Sequence, residues 1–120
     1  MKKRTLVLGA SLNPTRYSNI AIKRLISSGI ETLALGAREG SIGNVVVEVE
    51  KKLFSDLDTV TLYLNPERQK EYYDYIVSLQ PRRVIFNPGT ENVEFIKVLK
   101  DSGIEVEIAC TLVLLSTKQY

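Results

Sequence analysis

Short apolar runs alternate with helical spacings along most of the chain. Thr5-Leu6-Val7-Leu8-Gly9 is continuous and apolar, as expected of a central parallel strand covered on both faces. Ala21, Ile22, Leu25 and Ile26 then recur at helical spacing, with Gly29 placed to end the helix in a left-handed cap. Ile30 to Leu35 reads as a second strand. Thr59 to Leu64 and Arg83 to Asn87 are two more, rich in the β-branched and aromatic residues that suit a pleated surface. A helix is predicted between them. Asn65 caps it, Pro66 takes its first position, Glu67 favours its positive end, and Tyr72, Tyr73, Ile76 and Leu79 form its buried stripe. A further helix, Asn92 to Ser102, places Ile96 and Leu99 on one face and leads through Gly103 into a last strand, Ile104 to Ala109. Val45 to Val49 reads as a short edge strand followed by a short helix from Glu50 to Phe54.

Two of these junctions repeat. "SSGIETLAL" (27–35) and "DSGIEVEIA" (101–109) share Ser-Gly-Ile-Glu, in which glycine supplies the positive φ that stops a helix and turns the chain into a strand. Strands and helices alternating at this rhythm imply a parallel sheet, because each crossover returns the chain to the same edge. The expected fold is α/β: one doubly wound, Rossmann-like domain over residues 1–120, with about five parallel strands and helices on both faces. Such sheets bind ligands outside the carboxyl ends of their strands, where the strand order reverses.

Composition narrows the chemistry. Hydrophobic residues make up 44% and charged residues 25%, as in an ordinary soluble globular protein. No apolar run approaches the roughly 20 residues that span a bilayer, and Leu6 to Leu8 is too short for a signal peptide, so a cytoplasmic protein without a membrane partner is expected. Cys110 is the only cysteine and there is no histidine. An internal disulfide and a thiolate cluster are thereby excluded, the commonest general base is missing, and no metal site is expected. A net charge of +2, without interleaved aromatic and basic residues, does not fit nucleic acid. Small anions fit better.

The strand ends carry the informative residues. Asn-Pro follows three of them, at Asn13-Pro14, Asn65-Pro66 and Asn87-Pro88, all on the predicted ligand-binding rim. Proline rigidifies each loop and asparagine offers donors and acceptors, which would preorganise the rim for a polar ligand. In "LGASLNPTRYSN" (8–19), Gly9 permits a tight turn and a close backbone approach. Ser11, Asn13 and the amides opening the next helix can donate to a phosphate. The dinucleotide fingerprint Gly-x-Gly-x-x-Gly is not present, since Ser11 and Pro14 stand where its later glycines would be; a plain strand-to-helix turn is the alternative. At the end of the second strand, Leu35-Gly36-Ala37-Arg38 offers a cation where a nicotinamide-adenine dinucleotide site has an acid. A cation there favours a ribose phosphate, as in NADP or coenzyme A; the alternative is a solvated loop charge.

"TLVLGASLNPTRYSNIAIKRLISSGIETLALGAREGSIGNVVV" (5–47) resembles the opening of the small stand-alone CoA-binding domain proteins: a strand, Gly-Ala-Ser with a proline, then Arg-Tyr-Ser-Asn leading into a helix. The similarity continues through "TVTLYLNPE" (59–67) and reaches the last strand at Cys110, nearly the whole chain. The CoA-binding domain of the succinyl-CoA synthetase α subunit has the same fold, which implies a CoA nucleotide lying over the sheet rim. By that resemblance Gly9, Ser11, Arg16, Tyr17, Ser18 and Asn19 line the phosphate side, Arg38 approaches the ribose phosphate, and Asn65 with Pro66 lies near the adenine or ribose. The chain departs from the family at "IFNPG" (85–89), where a Trp-x-Gln-x-Gly type segment is common. Asn87 and Gly89, with Phe86, can still shape the floor of the site, but contacts of the family's glutamine do not transfer.

No catalytic residues are predicted. The synthetase's phosphorylated histidine belongs to a separate domain, and Asp56, Asp58 and Asp74 are scattered rather than a facing acid pair. Cys110 reads as an apolar filler at a strand end. The leading expectation is a module that binds coenzyme A or an acyl-CoA without transforming it, as a carrier, sensor or regulatory partner. One alternative is an NADP-dependent reductase using Arg38 with Tyr63 or Tyr17 as proton donor. The other is a protein-interaction module with a vestigial nucleotide pocket, presenting Tyr72, Tyr73 and Tyr75, one of which must point away from the core. A protein partner, unidentified, is compatible with each.

Overall fold

Residues 3–120 are described in the computed structural model; Met1 and Lys2, with which the predicted domain span opens, lie outside the described residues. Strands β1 (Thr5–Ala10), β2 (Thr32–Gly36), β3 (Gly40–Ile42), β4 (Val45–Glu48), β5 (Thr59–Leu62), β6 (Arg83–Phe86) and β7 (Glu105–Ile108) form one sheet ordered β3-β4-β2-β1-β5-β6-β7. Neighbours run parallel except β3 and β4, an antiparallel hairpin at one edge. The helices are α1 (Tyr17–Ser27), α2 (Pro66–Gln69), α3 (Tyr73–Leu79), α4 (Val93–Asp101) and α5 (Thr111–Ser116).

Period-two alternation builds two cores. Leu6, Leu8, Val60, Leu62, Val84 and Phe86 face α3 and α4, whose Tyr75, Ile76, Leu79, Phe95 and Leu99 close that side. Val7, Ala34, Val47 and Ile85 face the other way, under Ile22 and Leu25 of α1 and Leu114 and Leu115 of α5. The doubly wound α/β class therefore stands, with seven strands in place of about five. The Ser-Gly-Ile-Glu repeat has a common geometry. Gly29 and Gly103 adopt φ of 75° and 77°. Ile30 and Ile104 donate their amides back to Leu25 and Leu99, each at 3.0 Å, so both helices end in the same left-handed cap.

Several predicted boundaries move. Glu50 to Phe54 forms no helix: the Lys51 ammonium donates to the Glu71 carbonyl at 2.8 Å and the Lys52 carbonyl accepts from the Tyr75 hydroxyl, which holds the segment open across α3. Five residues are too few to hold a helix on their own, and these contacts favour the open path instead. The helix expected after Asn65 is broken by a 3₁₀ turn over Lys70–Tyr72. The turn rotates the stripe, so Gln69, Tyr75, Ile76 and Leu79 are buried while Tyr72 and Tyr73 are only half-buried.

Chain order leaves β1 toward β2, then crosses back to β5 on its other side. The reversal puts a crevice at the carboxyl end of β1, flanked by the ends of β2 and β5.

Candidate functional site

A cleft of about 460 Å³ occupies this crevice. Its floor is the β1 end, Gly9 to Leu12, with Leu35 to Arg38 from β2 on one side and Tyr63, Leu64, Arg68 and Tyr72 on the other. Arg16, Tyr17 and Ser18 at the start of α1, and Pro88 after β6, complete the lining.

The β1 turn is shaped by close backbone approaches. Gly9 has φ of 94°, and a β-carbon there would lie 3.0 Å from the Tyr63 carbonyl carbon and from Leu64 Cγ. At Gly36 a β-carbon would meet the Ala10 carbonyl oxygen at 2.3 Å. Glycine is required at both places because three strands converge there. Beyond the turn the loop is tied internally. Ser11 N–H donates to Ser18 Oγ at 3.1 Å, and Asn19 Nδ2 donates to the Ser11 carbonyl at 2.9 Å. Asn13 Oδ1 accepts from the amide and hydroxyl of Thr15. Helix α1 then begins at Arg16 with no side-chain cap and no acidic residue in its first turn, leaving the opening amides and the positive end of the helix dipole beside the cleft.

Of the residues expected at the site, Gly9, Ser11, Arg16, Tyr17, Ser18 and Arg38 line the cleft together. Asn13, Asn19, Asn65, Pro66, Asn87 and Gly89 do not. The three Asn-Pro pairs share the rim, as expected, but their side-chain oxygens are committed locally. Asn65 Oδ1 caps α2 by accepting from Arg68 N–H at 2.9 Å. Asn87 is buried, donating to Thr61 Oγ1 and the Leu62 carbonyl and accepting from Thr111 N–H, which locks β5, β6 and the start of α5 together. Gly89 turns the following loop, its amide donating to Glu91. In the last Asn-Pro pair it is the proline, Pro88, that reaches the cleft.

Sequence reasoning missed Leu12, Tyr63 as a wall residue, Leu64, Arg68 and Tyr72. Arg68 carried a readable signal: it stands three residues after a capping asparagine at a strand end, on the rim already singled out. Arg16, Arg38 and Arg68 line the cleft, no acidic side chain does, and none of the three guanidinium groups forms an ion pair or side-chain hydrogen bond among the described residues. Elsewhere Arg4, Arg82 and Arg83 are each paired with a carboxylate.

Burial pushes the Tyr63 phenol up to about 12, against opposing hydrogen bonds from Thr111 and Thr61. Among the described residues no lysine lines the cleft to lower it. Tyr17 stands 72% exposed at the mouth. The tyrosine trio forms no free aromatic face: Tyr75 is buried, Tyr73 stacks on Phe95 at 4.4 Å, and Tyr72 faces the cleft. Only Tyr75 is fully turned into the core; Tyr72 and Tyr73 are half-buried beside the 3₁₀ break. Cys110 is half-buried at the N-cap of α5. Among the described residues no cluster of histidine, cysteine, aspartate and glutamate is placed to hold a metal ion, and no helix is long and apolar enough to cross a membrane.

A family model described as "CoA binding domain" matches residues 3–116. No curated protein matches the chain. Among solved structures, one described as the crystal structure of an uncharacterized protein is 45% identical, with a TM-score of 0.97 over 100% of this chain and 99% of that one. A Thermus thermophilus protein, cell-free ID.343, is 20% identical with a TM-score of 0.86 over 98% and 91% of the two chains. A hypothetical protein from Pyrococcus horikoshii OT3 is 22% identical with a TM-score of 0.86 over 97% and 83%. The last two are similar in fold alone.

Proposed function

The chain belongs to the CoA binding domain family, and from that premise we propose that the rim cleft binds coenzyme A or an acyl-CoA without transforming it. The observation that carries the reading is electrostatic: a concave site lined by unpaired guanidinium groups, with no carboxylate, over a glycine turn. Such a lining fits a phosphorylated nucleotide, since each guanidinium can make charge-assisted, bidentate bonds to phosphate oxygens. In this reading the pyrophosphate lies over Gly9 and Ser11 against the open amides of α1, with Arg16 beside it. Arg38 takes the ribose phosphate. Asn13, Asn19, Asn65, Pro66, Asn87 and Gly89 shape the rim from behind.

The NADP reductase reading is weaker on one specific ground. Proton donation works best from a group held inside the site with a pKa near the working pH; Tyr63 holds its proton far above that, and Tyr17 stands exposed at the mouth. A binding module in the role of carrier, sensor or regulator needs no such donor. Isothermal titration tests the assignment. CoA should bind at least about tenfold more tightly than NAD, the worth of one charge-assisted hydrogen bond, because NAD has no ribose phosphate for Arg38 and finds no acid for its hydroxyls. Equal or tighter binding of NAD would overturn the reading.

A further inference from the structure

Arg68 has no role in the reading so far, although its position is unusual for this chain. It lies on α2, directly after β5, and its neighbour Glu67 is engaged with Lys70 at 3.2 Å. Among the described residues no carboxylate partners Arg68, and it lines the cleft. Arg38 reaches the same cleft from the far side, two residues beyond β2, and no ion pair ties it to adjacent Glu39.

Strand order brings the two segments that carry these arginines to opposite sides of the β1 end. β2 and β5 are the immediate neighbours of β1, so their ends stand two strand spacings apart, about 10 Å. That gap is within the combined reach of two extended arginine side chains converging above the β1 turn. Arg16 enters from elsewhere, at the start of α1, beside the uncapped amides. Two like charges lining one acid-free cleft repel, and a dianionic group held by both relieves the repulsion and satisfies both donor forks.

Resting on the CoA reading, we infer that Arg68 is a specificity-determining residue that grips the ribose phosphate jointly with Arg38, from the opposite wall, while Arg16 serves the pyrophosphate. The site then selects nucleotides carrying a phosphate apart from the pyrophosphate, and both walls read it.

The test compares CoA with dephospho-CoA, which keeps the pyrophosphate and lacks the ribose phosphate, by isothermal titration on the intact protein. Wild type should prefer CoA. Arg68→Ala should lose about tenfold in CoA affinity while changing dephospho-CoA affinity less than about twofold. Arg16→Ala should weaken both ligands in parallel and keep their ratio. Arg24→Ala, which removes an exposed arginine on α1 that does not line the cleft, should change neither. Alanine is a good helix former and Arg68 is exposed, so the variant should fold; its circular dichroism and melting point check this. If Arg68→Ala keeps the wild-type preference, or weakens both ligands equally, the Arg68 assignment is wrong while CoA binding stands. If the wild type binds neither ligand, the CoA reading itself fails and takes the assignment with it.

Discussion

Gly9 shows how one residue serves the fold and the site together. It was readable from sequence as a turn glycine, but the crowding behind it was not, because Tyr63 and Leu64 follow a strand more than fifty residues away. A side chain at this position meets the two residues that follow β5 before it meets any ligand. Gly9→Ala should therefore lower stability by about 2 kcal/mol, from the left-handed backbone and the 3.0 Å contacts combined. Urea denaturation with and without CoA measures it. A variant as stable as wild type would mean that the glycine answers to the ligand alone. Arg38 and Arg68 make the complementary point. Both are exposed, neither supports the fold through an ion pair, and only their convergence on one cleft gives them meaning.

At the scale of elements, what was legible is what local chemistry decides. The glycine caps after α1 and α4, the Asn65 cap with Pro66, and the apolar strand runs are all set by residues within a few positions of one another. The hairpin β3–β4 also had a local signal, Gly43-Asn44 between Ile42 and Val45, which passed unread because the flanking strands are only three and four residues long. The break between α2 and α3 had none. It depends on Gln69, fully buried, whose side-chain amide donates to the Leu64 carbonyl and the Thr90 carbonyl, each at 2.8 Å, while its oxygen accepts from Asn92 at 3.0 Å. This glutamine pins the cleft wall carrying Leu64 and Arg68 to the loop before α4. Gln69→Leu leaves the Leu64 and Thr90 carbonyls and one side-chain N–H of Asn92 without their partners in the interior. The expected loss is about 3 kcal/mol in urea denaturation, with weaker CoA binding as the wall loosens. Loss of stability with undiminished CoA affinity would show that the wall holds its place without this tie.

For the whole molecule, the topology was legible and the electrostatic pattern was not. Alternating strands and helices led to a doubly wound sheet and a rim site, whereas a net charge of +2 concealed how the cations are distributed. Folding pairs Arg4, Arg82 and Arg83 with carboxylates and leaves Arg16, Arg38 and Arg68 unpaired around one cleft, so a nearly neutral protein carries a locally cationic site. If that site is the CoA site, ligand and fold are linked, since only the folded chain assembles three elements around the β1 turn. CoA at about a hundredfold excess over its dissociation constant should stabilise the protein by roughly 2.7 kcal/mol. For a chain of this size that corresponds to a rise of about 10 °C in melting temperature. Salt supplies the decisive arm. The arginines are exposed, and the screening length falls from about 10 Å at 0.1 M to about 3 Å at 1 M, so the CoA-induced shift at fixed ligand concentration should shrink steeply over that range. Without ligand, salt should leave the melting temperature level or raise it, because it eases repulsion among the unpaired guanidinium groups. A CoA shift indifferent to salt would place the binding energy in apolar contacts with Leu12, Leu64 and Tyr72 rather than in the arginines, and would remove the charge argument on which the choice of ligand rests.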